Sequence, residues 1–590
     1  MLEYRAPLEE FEFLSHQVLR LNERLPLLPE HNHLDADLLK ATLEAGSALL
    51  GSQLLPLNAS GDASGCSLAD GSVSTPAGFP AAYAQFQENG WPALTVPLAW
   101  GGQGFPATTG VFFDEMLAST NVAFSIFAKV REGVLRCVQR FGDERVRELF
   151  GAKLASGEWL GTMCLTEPQA GSDLGLIRTT ARVDADGNYR LSGTKIFISN
   201  GDHDLTSNIV HLVLARTEGA PAGTGGLSLF AVTKYRLEDQ QRNGVSVIGL
   251  EHKHGIRANA TCSLAFEDSL AYPVGETNRG LACMFLLMNS ARLAVGVQTV
   301  GLAETAYQNA LRYANERHQG RALNGATHPT LPADPLTSHI GVRSTLIEHR
   351  LFIEPARLLC AWVGLLMDES ACHPDEDQRK HAAQLVELMT PIIKGYLSNH
   401  SGKVISSAMQ LFGGHGYIVE TGMEQLVRDH AICPIYEGTN HIQSLDLLAR
   451  KVLADQGRRL KSLAREMLGL AARLKRDETL APLAGSLQRW VSELEPLMLH
   501  LAVETVFNRD VVGRASPDYM ELIGTMVFGH LWTWMAEAAQ TSDPDSAHTR
   551  NKVAMAELYI SRANEDIPTL IKRLMREPRE LDRLGRITLT

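Results

Sequence analysis

The chain has 590 residues and a mass of 64.5 kDa, which is long enough for roughly three to five compact domains. Its 55 basic and 67 acidic side chains give a formal charge of −12, which argues against a protein that mainly grips nucleic acid, because phosphate binding needs a basic surface. Hydrophobic residues make up 45% of the sequence, too many for an intrinsically disordered chain.

The sequence predicts a cytoplasmic protein without an integral membrane segment. No continuous apolar run reaches the 18 or more residues of a membrane span, and the opening MLEYRAPLEEFEFL has acidic residues where a signal peptide needs a basic start. The eight cysteines are scattered and form no C-x-x-C pair, so we expect reduced thiols. No H-E-x-x-H motif or cysteine cluster is present, and we expect no metal site.

Residues 1–160 are predicted to form an N-terminal helical domain, in which the Gly/Ser/Asp-rich stretch 58–72 is expected to be a loop. Residues 161–280 contain about six short segments rich in β-branched and aromatic residues, separated by turn signals. They predict a central antiparallel β-sheet or barrel domain.

From residue 281 onward, apolar residues again recur at the spacing typical of a helix. Long helices are predicted over 281–318, 336–368 and 375–411, and a fourth from about 438, which together suggest a four-helix bundle over 281–460. An additional C-terminal helical domain is expected over 461–590, with a break at 543–547. The predicted fold class is therefore α+β and multidomain.

Two segments of the β region combine polar groups with a turn or a strand. Residues 163–173 (MCLTEPQAGSD) leave a strand and enter a Pro/Gly loop, which is either an ordinary capped turn or a site for an anionic or heteroaromatic ligand. In residues 195–201 (KIFISNG), alternation places Phe197 and Ser199 on one face of a strand. The ring of Phe197 then lies either against a flat ligand or in the core.

The third informative segment is residues 431–443 (AICPIYEGTNHIQ), which carries Glu437. A carboxylate in an apolar neighbourhood loses hydration, so its pKa rises and it becomes a better base. Thr439 or Asn440 would cap a following helix. The alternative is that Glu437 is a loop-end acid paired with a nearby cation such as Arg428.

From about residue 90 to 455 these segments together resemble the acyl-CoA dehydrogenase family. The motifs come in the family's order: T-E-P-x-A-G-S-D, K-x-[W/F]-I-[S/T]-N-G, R-x-x-x-G in a helix, E-R, Q-x-x-G-G-x-G and I-Y-E-G-T. The chain as a whole is most similar to the long-chained branch that includes 3-methylmercaptopropionyl-CoA dehydrogenases, which carries an additional C-terminal helical domain.

The resemblance implies a flavoenzyme that binds FAD between the β domain and the bundle, with help from a second subunit. Arg317 would hold the FAD pyrophosphate, because the arginine fork fits phosphate oxygens. The residues that the resemblance assigns to FAD are Met163, Leu165, Thr166, Ser172, Phe197, Ser199, Arg317, Gln410, Gly413, Gly414 and Thr439. Those it assigns to the acyl-CoA substrate are Ser172, Asn289, Arg292 and Gly438.

Glu437 matches the family's catalytic base. By resemblance it would take the α-proton of the thioester while the β-hydrogen leaves as hydride to flavin N5, which gives a trans-2-enoyl-CoA. Hydrogen bonds from its backbone N–H and from an FAD hydroxyl would stabilise the thioester oxygen. Some family members carry the base near the position of Ala291, where Asn289-Ser290-Ala291 offers no carboxylate.

The expected partners are an acyl-CoA, an electron-transferring flavoprotein as electron acceptor, and a second copy of the chain in a homodimer. Two alternatives stay open: an acyl-CoA oxidase that passes electrons to oxygen, and a flavin-binding relative that associates with DNA and does little catalysis. The charge of −12 disfavours the second of these. Methylthiopropionyl, medium-chain and long-chain acyl groups are all compatible with the sequence.

Overall fold

The computed structural model describes residues 2–575, 583 and 585–588. The chain divides into two compact units, each described by itself. Unit 1 comprises Met1–Arg5, Ala45–Ala294 and Gly414–Ile432, and unit 2 comprises Ala6–Glu44, Val295–Gly413 and Cys433–Thr590. The predicted domain boundaries after residues 160, 280 and 460 stay predictions.

The N-terminal part is helical, as predicted. Its helices are α1 (Leu8–Glu12), α2 (Leu21–Arg24), α3 (Ala36–Leu49), α4 (Leu55–Ser64), α5 (Phe79–Glu88), α6 (Ala107–Phe141) and α7 (Glu144–Ala155). Helix α6 is interrupted at Asn121, whose backbone is extended (φ −157°, ψ 92°). The side chain of Asn121 accepts a hydrogen bond from the Phe124 N–H at 3.0 Å, so it caps the second half of the helix.

The prediction of a loop over the whole of residues 58–72 is wrong. Helix α4 continues to Ser64, and the short strands β1 (Ser67–Ala69) and β2 (Ser72–Ser74) then form an antiparallel hairpin. Asp70 and Gly71 form its two-residue turn, and both have a positive φ, as a tight hairpin turn of this hand requires.

The central region is a β domain of seven strands, one more than predicted. They are β3 (Leu160–Cys164), β4 (Thr180–Val183), β5 (Tyr189–Ser199), β6 (Ile209–Thr217), β7 (Leu227–Thr233), β8 (Val245–Leu250) and β9 (Thr261–Pro273). Strand β4 escaped prediction because it is short and mostly exposed. Strand β7 pairs with both β6 and β9, so β4, β5, β6, β7 and β9 close into a ring.

The sheet is mixed rather than purely antiparallel. Strand β6 pairs in parallel with β3 and with β4, whereas the other pairings are antiparallel. Strand β6 is buried on both faces. Val210, Leu212 and Leu214 pack with residues of α6 and α7, and the alternate side chains Val213 and Ala215 pack inside the ring. Pairing direction depends on which strands meet in space, which local patterns do not encode.

The C-terminal part is again helical. Its helices are α8 (Gly280–Glu316), α9 (Ile340–Cys372), α10 (Glu376–Leu411), α11 (Met423–His430), α12 (Asn440–Leu445), α13 (Arg458–Leu474), α14 (Ala481–Phe507), α15 (Asp510–Ser542) and α16 (Ala547–Leu574). The predicted break at 543–547 is present. The predicted fourth bundle helix begins at Asn440 and is shorter than the other three. Helix α12 passes into a π-helical segment (Asp446–Leu453), which ends before Gly457, a residue with a φ of 73°.

Helix α10 is the central helix of unit 2 and packs against α9, α12, α13 and α15. Among the described residues, two helices, α6 and α8, are long and apolar enough to cross a membrane by length and composition alone. The apolar window of α6 is 89% buried within the fold, as in a core helix, and that of α8 is 44% buried. The absence of a membrane segment stays a prediction.

Candidate active site

The first two sequence motifs are joined by a buried ion pair in unit 1. The Lys195 ammonium group lies 2.9 Å from Oε1 of Glu167 and 2.9 Å from the carbonyl oxygen of Leu165. The Ile196 N–H donates to the Thr166 carbonyl at 2.9 Å. Sequence reasoning missed this pair, since it treated residues 163–173 and 195–201 as separate segments.

Glu167 also accepts hydrogen bonds from the Arg178 N–H (2.7 Å), the Thr179 N–H (3.0 Å) and the Thr179 hydroxyl (2.5 Å). Burial opposes the charged form, but Lys195 and these donors outweigh it and hold the pKa of Glu167 at about 2. Burial lowers the pKa of Lys195. Glu167 and Lys195 are therefore structural residues, and they fix the loop after β3 to the end of β5.

Phe197 lies in a β-bulge rather than in a regular strand. The pairing of β5 with β9 shifts register between Lys195 and Ile198, and Phe197 has a φ of 57°. The predicted alternation of residues 196–199 is therefore interrupted. The bulge turns the Phe197 ring outward, where it is 62% exposed, while Ile198 is buried. Strained backbone of this kind concentrates at active sites and ligand contacts, which makes Phe197 a candidate ligand contact.

The other predicted residues of this loop have different environments. Leu165 is buried, Met163, Thr166 and Ser199 are half-buried, and Ser172 is exposed. A Cβ added at the neighbouring Gly171 would have no atom within 4 Å, so the loop is open at that point. On helix α8, Arg292 is 5% exposed and its guanidinium lies 3.4 Å from Oδ1 of the exposed Asn289.

Glu437 lies in unit 2 in a left-handed backbone conformation, with a φ of 56°, and Gly438 follows with a φ of 87°. Thr439 caps helix α12, because its hydroxyl accepts the Ile442 N–H at 3.3 Å. This confirms one of the two predicted caps. The Tyr436 hydroxyl donates to Oε1 of Gln298 on helix α8. The Asn440 N–H donates to the Pro434 carbonyl at 3.0 Å, so a hydrogen bond joins the two ends of the loop.

The alternative partner of Glu437, Arg428, is engaged elsewhere. Its guanidinium lies 2.6 Å from Oδ2 of Asp62 and 2.5 Å from Oε2 of Glu424. These contacts raise the pKa of the Arg428 guanidinium above its ordinary value.

Four further predicted residues lie at the end of α8 and around the end of α10. Arg317, Gln410, Gly413 and Gly414 are all exposed. Arg317 makes no side-chain hydrogen bond or ion pair with any residue that the structure describes. Gly413 has a φ of 57°, and a Cβ at Gly413 or Gly414 would meet nothing within 4 Å. Within the described ranges, no group of three or more His, Cys, Asp or Glu could hold a metal ion.

The chain matches known proteins along most of its length. Residues 72–158, 162–269 and 278–453 match the N-terminal, middle and C-terminal domains of acyl-CoA dehydrogenases, and residues 461–581 match a domain described as acetyl-CoA dehydrogenase C-terminal like. The 3-methylmercaptopropionyl-CoA dehydrogenase of Ruegeria pomeroyi is 37% identical over 568 residues, which cover 94% of this chain and 95% of that protein. The chain belongs to the acyl-CoA dehydrogenase family.

A second relative agrees with this, and two solved structures share the fold. The broad-specificity linear acyl-CoA dehydrogenase FadE5 of Mycobacterium tuberculosis is 33% identical over 512 residues, with 83% of each chain covered. An acyl-CoA dehydrogenase of Bacillus anthracis, complexed with FAD, has a TM-score of 0.76 at 21% identity over 97% of this chain and 94% of its own. ACDH-11 of Caenorhabditis elegans, in complex with C11-CoA, has a TM-score of 0.79 at 19% identity over 99% and 94%.

These matches confirm the predicted family, the fold class and the enzyme class, an oxidoreductase of the acyl-CoA dehydrogenase type, and FAD is the cofactor of the family. The residues present fit that cofactor. Phe197 offers an exposed ring, Arg317 an exposed guanidinium without a side-chain partner among the described residues, and Gly413 and Gly414 offer backbone that a ligand can approach closely.

Proposed function

We propose that this protein is an FAD-dependent dehydrogenase of acyl-CoA thioesters, which forms a trans-2-enoyl-CoA, with Glu437 as the base. The observation that carries the proposal is the left-handed conformation of Glu437 in a closed loop at the start of α12. Backbone strain of this kind costs about 1–3 kcal/mol and concentrates at active sites. Family membership supplies the reaction class.

In the proposed reaction, Glu437 takes the proton from the carbon next to the thioester carbonyl. The Glu437 N–H donates to the thioester oxygen and stabilises the negative charge that develops there. Bound FAD would supply the hydride acceptor for the β-hydrogen, and the chain would hold the flavin beside that carbon. The chain therefore supplies the base, one hydrogen-bond donor and the orientation of the thioester.

The proposed FAD contacts are those that the resemblance assigned. Phe197 and Ser199, with Met163, Leu165 and Thr166, would contact the flavin ring region, and Thr439 would also touch FAD. Arg317 would hold the pyrophosphate, because a guanidinium binds two phosphate oxygens at once. Gln410, Gly413 and Gly414 would come from a second copy of the chain, so the proposal includes a homodimer.

The proposed substrate contacts are made by Ser172, Asn289, Arg292 and Gly438. Asn289 and Arg292 would bind the CoA part, and Ser172 would lie near the FAD pyrophosphate and the incoming thioester. The relative from Ruegeria pomeroyi supports the 3-methylmercaptopropionyl thioester as the first substrate to test, and FadE5 supports linear acyl-CoAs as the second. We further propose a cytoplasmic enzyme that passes its electrons to an electron-transferring flavoprotein.

The test is to mix the FAD-loaded protein with each member of an acyl-CoA panel in the absence of oxygen. Reduction of the bound flavin is measured as the loss of flavin absorbance. The panel contains the 3-methylmercaptopropionyl ester and linear esters of graded length. Glu437→Gln should retain FAD and bind the ester but reduce the flavin at least about 100-fold more slowly, as expected when a general base is removed. The exposed Glu495→Gln on α14 is the matched control. Undiminished flavin reduction by Glu437→Gln would defeat the assignment, and hydrogen peroxide formed in air during turnover would point to an oxidase.

A further inference from the structure

The conformation of Glu437 needs support from its surroundings. A residue with a side chain rarely adopts a φ near +56°, and it keeps that φ only where neighbouring contacts exclude the alternatives. The next residue, Gly438, also has a positive φ, so two successive peptide groups point in unusual directions. Whatever holds these two peptide groups also determines where the Glu437 carboxylate and its N–H point.

Gln443 makes the contacts that hold them. Its side-chain amide N–H group donates to the carbonyl oxygen of Glu437 at 3.0 Å and to that of Gly438 at 3.3 Å. The Gln443 side chain is completely buried, and among the described residues its Oε1 has no hydrogen-bond partner. Because both neighbouring acceptors are carbonyls, only the NH2 end of the amide can face them. Both hydrogen bonds that the Gln443 amide donates therefore go to the strained turn at Glu437 and Gly438.

Helix α12, which carries Gln443, is fixed to α10 by a second set of contacts. Lys394 of α10 is fully buried and donates to Oδ1 of Asn440 at 2.9 Å. The Asn440 amide donates to the Ser398 hydroxyl at 2.9 Å and to Oδ1 of Asn399 at 2.6 Å.

The two helices also approach closely at Gly395. A Cβ at Gly395 would lie only 3.1 Å from the Cβ of Gln443, which is tighter than ordinary contact. The close approach and the Asn440 contacts together keep α12 at one distance from α10, and so keep Gln443 within reach of the turn.

We infer that Gln443 is a positioning residue for the base Glu437, and that Lys394 supports it by holding Asn440 and the start of α12. The inference rests on the proposed function, because it assigns no reaction of its own. Without the two donors of Gln443, residue 437 can relax toward an ordinary φ. Its carboxylate and its N–H would then move together, while the residues proposed to bind FAD and CoA on other elements stay in place.

The test compares Gln443→Leu with Gln540→Leu. Gln540 is a matched control in α15, because its amide donates to Asp477 at 3.0 Å and its Oε1 likewise has no partner among the described residues. Rates of anaerobic flavin reduction are measured per bound FAD, with the ordinary ester and with its α-deuterated form. At saturating ester we expect Gln443→Leu to reduce the flavin about 10- to 100-fold more slowly, as for a displaced catalytic group. Its α-deuterium isotope effect should rise, which a loss of stability would not cause.

A second pair of variants covers the case in which Gln443→Leu does not retain FAD. Lys394→Met removes the donor to Asn440, and Lys394→Gln keeps an N–H donor. Slower flavin reduction in Lys394→Met that is partly restored in Lys394→Gln supports the inference, and wild-type rates in both overturn it. A wild-type rate and isotope effect in Gln443→Leu, with Glu437→Gln inactive, would also overturn the inference and leave the proposed function standing. An active Glu437→Gln would overturn the proposed function first.

Discussion

Lys195 and Glu167 form an ion pair 2.9 Å long whose two side chains are 0% and 3% exposed. They are separated by 28 residues in the chain and join the loop after β3 to the bulged end of β5. A buried ion pair stabilises a fold only when the other hydrogen-bonding groups of its side chains are also satisfied. The Glu167 carboxylate meets that condition, because it accepts further hydrogen bonds from Arg178 and Thr179. The ion pair therefore holds together the two segments that carry Thr166 and Phe197.

Removing one member of this pair should be costly. We expect Lys195→Met to lower the free energy of unfolding by about 3 kcal/mol or more, because an unpaired carboxylate is left buried. The bound FAD content should fall as well, since the loop and the bulge lose their link. Urea unfolding and the flavin-to-protein absorbance ratio measure the two effects. Arg182→Met, which breaks the exposed pair with Asp268 in the same domain, should cost less than about 1 kcal/mol. Equal losses in the two variants would contradict this prediction.

Gly438 should be sensitive to a single added methyl group. Its φ of 87° lies in the left-handed region, so Gly438→Ala strains the turn that carries Glu437. We expect flavin reduction by substrate to slow about 10-fold, with the oxidised flavin still bound. Gly219→Ala is the control, because Gly219 has a φ of 74° in a surface turn with open space around it. The control should change stability slightly and leave the rate of flavin reduction unchanged.

Arg317 should contribute to FAD retention. Its exposed guanidinium has no side-chain partner in the described part of the chain, and a phosphate group would supply one. We expect Arg317→Ala to weaken FAD binding about 10-fold or more, measured as flavin released on dilution. Arg450→Ala removes another exposed arginine, paired with Asp446 at 3.5 Å, and should leave FAD binding unchanged. Unchanged flavin content in Arg317→Ala would count against the assignment.

The protein should lose stability in mild acid because of buried histidines. Burial lowers the pKa of His203 and of His211 to about 3 each. Below the ordinary pKa of about 6.5 the unfolded chain binds protons that the folded chain excludes, so the free energy of unfolding falls as the pH drops from about 6.5 towards 3. Each histidine should contribute a loss of about 2 kcal/mol between pH 6.5 and 5.

Urea unfolding at pH 7 and pH 5 measures this effect. His203→Gln should reduce the difference between the two pH values, whereas replacement of the exposed His33 by Gln should leave it unchanged. A second, more acidic transition is expected from Glu167. Its stabilising charge is fully present above pH 4.5 and is lost as the pH falls towards about 2.

Features that depend on neighbouring residues in the chain were predictable from the sequence. The helices at 280–316, 340–372 and 376–411 follow from apolar periodicity, and the break at 543–547 from local turn residues. The cap of α12 by Thr439 follows from the preference of helix starts for hydroxyl side chains. The family motifs are also contiguous segments, so the sequence by itself identified the family and singled out Glu437.

Features that depend on distant residues were decided by the tertiary structure. The parallel pairings of β6, the bulge that turns Phe197 outward and the pairing of Lys195 with Glu167 all require segments that only folding brings together. The same holds for Gln443, which is an ordinary helix residue in the sequence. It acquires its role because α10 fixes α12 at a distance where the amide reaches two strained carbonyls. Periodicity and motif spacing record what a segment prefers by itself, whereas these contacts arise from packing between segments.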